Sequence, residues 1–298
     1  MKKLLVIIFM VCWGCETVVD PGIEPDDASL VLNSIINPDS VIKVNLSKSW
    51  YVLLDEREQF IEGATIDIYE EDKYLGQLDH DGFGVYTNSN LVPKKGGNYR
   101  IEVSKEGYED IFSEATIPQR PALISKIKID TILSDGIKRL KFKVEIDDRV
   151  GEDYYEFIIF GYNRNYEFNE ETGTYLLIDS VNIPIWSETE DLIIDEFQRE
   201  GTNLDYVFSD NFFEGKKYSL SIDPGIFIYD TSTPQFTTVT VVLRNVNKDY
   251  FLYKRSRLLQ DWVDGDPFAE PVLVHNNIQN GFGIFAGYNQ TEEVITVR

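Results

Sequence analysis

Residues 63–86 read GATIDIYEEDKYLGQLDHDGFGVY, and residues 94–110 read KKGGNYRIEVSKEGYED. In the first stretch Thr65, Asp67 and Tyr69 alternate with Ile66 and Ile68; in the second Tyr99, Ile101 and Val103 alternate with Arg100, Glu102 and Ser104. Successive side chains of a strand point to opposite faces, so a period of two marks a half-buried strand. Turn formers punctuate these runs at Asp79-His80-Asp81-Gly82, Lys95-Gly96-Gly97-Asn98 and Glu106-Gly107, where Gly and Asp supply tight backbone. Several short antiparallel strands so separated predict a sandwich.

The same period extends in both directions. Upstream, Ile42, Val44 and Leu46 alternate with Lys43, Asn45 and Ser47. Downstream, Leu140, Phe142, Val144 and Ile146 alternate with Arg139, Lys141, Lys143 and Glu145, and 155–162, 218–222 and 237–243 read as further strands. Residues 163–194, with Gly173, Pro184 and many acids, predict a long hairpin plus loops. Pro118 and Pro121 bracket a stiff linker, the best boundary in the chain. One helix is expected over 248–263: Asn247 caps it, Asp249 favours its N-terminal dipole, and Gly265-Asp266-Pro267 stops it. Its residues Phe251, Leu252, Leu258, Leu259 and Trp262 form one face, expected to dock on the second sheet. The expected fold class is therefore all-β: two β-sandwich-like domains in tandem, 29–118 and 119–298, with one amphipathic helix near the C-terminus.

The N-terminus predicts export. Lys2 and Lys3 precede an apolar run over 4–11, shorter than the roughly 20 residues of a membrane span and within the roughly 7–15 of a secretory signal. Gly14 before Cys15 resembles a bacterial lipobox, in which the signal is cut ahead of a cysteine whose sulfur carries diacylglycerol. The family pattern has an aliphatic residue three before the cysteine and a small one two before; Cys12 and Trp13 depart from it. An ordinary signal peptide cut nearby is the alternative. The expectation is a signal over 1–14, lipidation at Cys15, and a flexible tether over 15–28 containing Pro21, Gly22 and Pro25. Both cysteines lie in this segment, so the mature chain cannot form an internal disulfide.

Of 298 residues, 43% are hydrophobic and 13% aromatic; at roughly 150 residues per domain, that is enough for two packed cores. Formal charge is −23. A surface of that sign repels phosphate backbones, which argues against a nucleic-acid partner. Lys94-Lys95 and Lys216-Lys217 are isolated pairs rather than a basic cluster.

Candidate chemistry is sparse. The two histidines, His80 and His275, fall in a turn and an extended run, and no G-x-S-x-G accompanies them. Zinc spacings, P-loops and G-x-G-x-x-G are absent. Asp79-x-Asp81-Gly82 has the opening of a calcium loop, but the Glu of the EF-hand pattern is replaced by Asn88, so a hairpin turn is the better reading. Asp261, Asp264 and Asp266 read equally as a weak cation candidate or a solvated helix end. Carboxylate pairs that could serve a glycan hydrolase are too abundant to be informative. No catalytic residue, metal or cofactor is therefore expected.

Two resemblances add to this. Residues 63–118 resemble the carboxypeptidase-regulatory, transthyretin-like sandwich, which speaks to fold and hardly to function. Residues 266–289 read DPFAEPVLVHNNIQNGFGIFAGYN, preceded by the helix. This run, with the lipobox, first sandwich and second β-domain, resembles a Bacteroidetes lipoprotein family known only as DUF4249; Asp266 stands where the family has Asn. Within the run Asn276, Asn277, Asn280, Gly281 and Gly283 predict a tight turn entering a strand. The resemblance implies a non-enzymatic accessory at the outer membrane, partnered with a TonB-dependent receptor in nutrient uptake. A surface glycan hydrolase with a carboxylate pair, and a purely structural or adhesive module, are the competing expectations.

Overall fold

A computed structural model describes residues 28–49, 59–134, 136–228, 238–266 and 268–297. Gly14, Cys15 and the tether as far as residue 27 lie outside them. The alternating runs are strands: β1 (Leu30–Ile36), β2 (Lys43–Lys48), β3 (Gln59–Phe60), β4 (Thr65–Glu70), β5 (Lys73–Gln77), β6 (Asp79–Gly82), β7 (Val85–Thr87), β8 (Asn98–Ser104) and β9 (Ile111–Thr116). Beyond the linker come β10 (Leu123–Ser134), β11 (Ile137–Asp147), β12 (Tyr154–Asn169), β13 (Thr174–Pro184), the one-turn helix α1 (Glu196–Arg199), β14 (Asp205–Ser209), β15 (Lys217–Ile222) and β16 (Phe227–Ile228). The chain closes with β17 (Thr238–Val246), helix α2 (Lys248–Val263) and β18 (Phe282–Thr296). The protein is all-β, as expected. No helix among the described residues is long and apolar enough to cross a membrane.

Three sheets build it. One has ten strands, ordered β13-β12-β17-β18-β1-β2-β7-β6, with β14 on β12 and β3 on β2. Two four-stranded sheets face it, β5-β4-β8-β9 and β10-β11-β15 with β16 on β11. The period-two residues fill the spaces between. Ile42, Val44, Leu46, Ile66, Ile68 and Ile101 belong to one core; Leu140, Phe142, Val144, Ile146, Phe157 and Leu243 belong to the other.

The C-terminal strand joins the halves. β18 runs parallel to β1, from Val31 opposite Phe282 to Ile36 opposite Gly287, and continues antiparallel to β17, from Tyr288 opposite Val246 to Thr296 opposite Thr238. Phe285 thereby packs into the first core, while Ile295 packs against the second. The approach of β18 to β1 requires glycine: a Cβ on Gly283, whose φ is +115°, would stand 2.0 Å from the Leu32 carbonyl oxygen.

The turn predicted at Asp79–Gly82 sits slightly downstream of that place. Asp79–Gly82 is strand β6, and the reversal falls on Phe83 and Gly84, with φ of 49° and 69°. Two consecutive left-handed residues make the turn whose twist matches flanking strands. Gly84 is required there, since a Cβ would meet the Leu46 carbonyl oxygen at 2.4 Å.

Candidate functional site

Helix α2 begins where expected, with Asn247 accepting a hydrogen bond from the Tyr250 amide at 3.0 Å, but it docks differently. Its buried residue is Tyr250, and Trp262, placed on the docking face by its spacing, is 50% exposed. The helix lies on the outer face of the ten-stranded sheet, against Tyr154, Val246, Ile284 and Ala286, with Tyr154 and Phe251 stacked at 4.7 Å.

A buried charge network completes the contact. Glu156 on β12 is 1% exposed and accepts from Arg244 and from the Tyr250 hydroxyl, each at 2.7 Å. Lys254 lies 3.4 Å from Glu156 and 2.7 Å from Asp205. Burial, the largest single influence, works against the cations of Arg244 and Lys254. Glu156 together with Tyr250 and Tyr288 at Arg244, and Glu156 together with Asp205 at Lys254, outweigh it, and both pKa values rise. Burial pushes the Asp205 carboxyl up, against the pull of Lys254.

Beside this network α2, α1 and the outer face of β1 and β2 enclose an open cleft of about 990 Å³. Each wall is fixed by specific bonds. Gln198 of α1 is buried and completes a two-way amide pair with the Val207 backbone, both bonds 2.9 Å. Ser187 and Asn203 exchange backbone bonds of 2.8 and 2.9 Å, fixing the segment that carries Trp186. Arg255 of α2 donates to Asp195 at 2.6 Å, and the Trp262 indole N–H donates to Glu200 at 2.9 Å. Trp186 and Trp262 both line the cleft and are 58% and 50% exposed. Asn33 and Asn45, cross-strand partners of β1 and β2, stand on its sheet wall with Lys43.

A second cluster is acidic. Asp148, Asp153 and Asp210 bring one carboxylate oxygen each within 4.8 Å of one another. Calcium takes 6–8 oxygen ligands, and each of these carboxylates already accepts from a protein donor. Tyr155 and the Gly215 amide donate to Asp148, the Asp153 amide to Asp210, and Asn245 to Asp153. Burial, with repulsion from Asp148 and Asp153, pushes Asp210 up to about 6. The arrangement suits a held proton. It was invisible in the sequence because Asp210 joins the β11–β12 loop, which carries Asp148 and Asp153, from a segment more than fifty residues away.

The residues singled out by sequence do not assemble into a catalytic group. His80 packs on Tyr86 at 5.0 Å, and Asp79 and Asp81 are exposed on β6. Asp261 lines the cleft, Asp264 ends α2, and Asp266 accepts from the Phe268 amide at 2.9 Å. His275 pairs with Asp249 at 2.8 Å. Ser256 is near it, but through the His275 backbone N–H at 2.9 Å, and the serine hydroxyl donates to the Tyr253 carbonyl. The imidazole thus holds no nucleophile.

The C-terminal run is a structural clip. Asn277 accepts from the Phe285 amide at 2.9 Å and donates to the Phe285 carbonyl at 2.7 Å, while Ser113 donates to the Asn277 carbonyl at 2.8 Å. Asn276 donates to the Gly281 carbonyl at 3.0 Å, and Asn280, with φ of 59°, donates to the Asp110 carbonyl at 3.2 Å. These bonds seat the start of β18 against β9.

A family model described as Domain of unknown function (DUF4249) matches residues 16–294. No curated protein matches the chain. Among solved structures, Drosophila OTK extracellular domains 3–5 align at 9% identity over 74% of this chain and 94% of that one, with a TM-score of 0.18; so weak a likeness carries no argument.

Proposed function

The chain belongs to the DUF4249 family, and on that premise we propose that it is a non-enzymatic binding component of the cell envelope. In this reading Cys15 carries the lipid that holds it to the outer membrane of a Bacteroidetes cell. The cleft beside α2 then receives a nutrient on behalf of a TonB-dependent receptor. The observation that carries the binding role is the cleft itself, about 990 Å³, at the upper end of the roughly 300–1,000 Å³ typical of small-ligand sites. Its walls are tied to a rigid sheet by named bonds, as a preorganised site requires. The anchor is supported by the apolar run ahead of Gly14 and Cys15, and two or three acyl chains give stable attachment where one does not.

The test is recovery of the tagged full chain from solubilised membranes. A TonB-dependent receptor is expected to co-purify, and palmitate label is expected on wild type and absent from Cys15→Ser. Recovery with neither a receptor nor a bound small molecule would overturn the accessory role, and label persisting in the variant would overturn the anchor.

A further inference from the structure

We infer that the cleft beside α2 binds a neutral oligosaccharide, with sugar rings stacked on Trp186 and Trp262; this rests on the binding reading above and names its ligand class. Both tryptophans among the described residues line this one cleft, and each leaves about half its surface in water. Tryptophan is the most costly side chain to leave so exposed, and a half-exposed pair in one concavity marks a contact surface. The bond from the Trp262 indole to Glu200 uses the ring edge and does not occupy a ring face, and half of the residue is exposed. Pyranose rings offer C–H groups that pack on such faces.

The polar lining fits hydroxyls. Asn33, Lys43 and Asn45 make no side-chain hydrogen bond among the described residues. Paired carboxamides both donate and accept, as a sugar hydroxyl does. The charges balance: Lys43, Lys254 and Arg257 stand against Glu200, Asp205 and Asp261. A chain of net charge −23 therefore presents here a locally neutral wall, which favours an uncharged ligand over an anionic or cationic one.

An extended peptide fits less well. Peptides commonly gain affinity by adding a strand to a free sheet edge. Here β1 is paired on both sides, by β18 and β2, and β2 by β1 and β7. The sheet wall offers side chains and no free backbone edge.

Isothermal titration of the full chain against maltohexaose, cellohexaose, laminarihexaose, xylohexaose and mannohexaose tests the inference, with polygalacturonate and a tryptic peptide pool as further arms. At least one neutral hexaose is expected to bind. Trp186→Ala and Trp262→Ala should each weaken that binding by about tenfold or more, while Trp262→Phe, which keeps an aromatic face, should stay within about threefold. Circular dichroism melting of each variant is expected to match wild type, since both rings are half exposed. Failure of all five hexaoses overturns the inference. Binding only of polygalacturonate or peptides overturns the sugar class and leaves the binding reading standing. Silence in every arm, with no receptor recovered from membranes, removes both.

Discussion

At the scale of single residues, Asp210 makes a pH-dependent contribution that its neighbours impose. Its folded pKa, pushed up to about 6 by burial and then by Asp148 and Asp153, exceeds that of an unfolded aspartate, roughly 3.9. The native state thus binds the extra proton between those values. The stabilisation is complete below about pH 4 and is lost as pH rises through about 6. Asp210→Asn keeps an oxygen for the Asp153 amide and removes the charge. It should stabilise the protein at pH 7.5 by about 1–3 kcal/mol and flatten this part of the pH profile. Urea titrations of both proteins from pH 4.5 to 7.5 check it, and parallel profiles would contradict it. The cluster is not legible in the sequence, where 51 acidic residues hide any one triplet. The asparagines of the C-terminal run, by contrast, were legible as a turn, since Asn tolerates left-handed backbone and Asn280 adopts it.

At the scale of elements, the strands with a clear period were readable because one face of each meets a core, so burial follows the sequence period. Ile66, Ile68, Val44 and Phe142 are all fully buried. The docking of α2 was not readable. Glu156 and Arg244 occupy the outward positions of β12 and β17, where alternation alone reads solvent; nothing local says that a helix covers them. The cleft was hidden for the same reason, being assembled from residues near 33–45, 186–205 and 253–262, each unremarkable by itself. Ionic docking has a measurable consequence. Removing one partner of a buried network strands the others, at a cost of about 3–5 kcal/mol, so Glu156→Ala should destabilise by that order. Because the group is 1% exposed, the loss should be nearly the same in 0.1 and 1 M salt. Chemical denaturation in urea at both salt levels measures it; a cost that vanished in high salt would mean the network is hydrated.

At the scale of the whole molecule, the two prolines near residue 120 mark a change of core, while the backbone hydrogen bonding continues past it. The ten-stranded sheet runs under both cores, and β18 supplies Phe285 to one and Ile295 to the flank of the other. Parallel pairing of residues 31–36 with 282–287 joins the two ends of the described chain, a non-local contact that no sequence period encodes. One strand shared by two cores should couple their unfolding. Gly283→Val tests the coupling at its tightest point, where the new Cβ would stand 2.0 Å from the Leu32 carbonyl oxygen and the residue would be held at a φ of +115°. Strain and overpacking together should cost about 2–4 kcal/mol. If the sheet transmits that loss, hydrogen exchange should accelerate for Ile66–Ile68 in the first core and for Val241–Leu243 in the second by similar factors. The second group shares no direct contact with the substituted site, so its response reports cooperativity across the sheet. Acceleration confined to the first core would instead mean that β18 can detach from β1 while staying paired with β17, and that the two cores open separately.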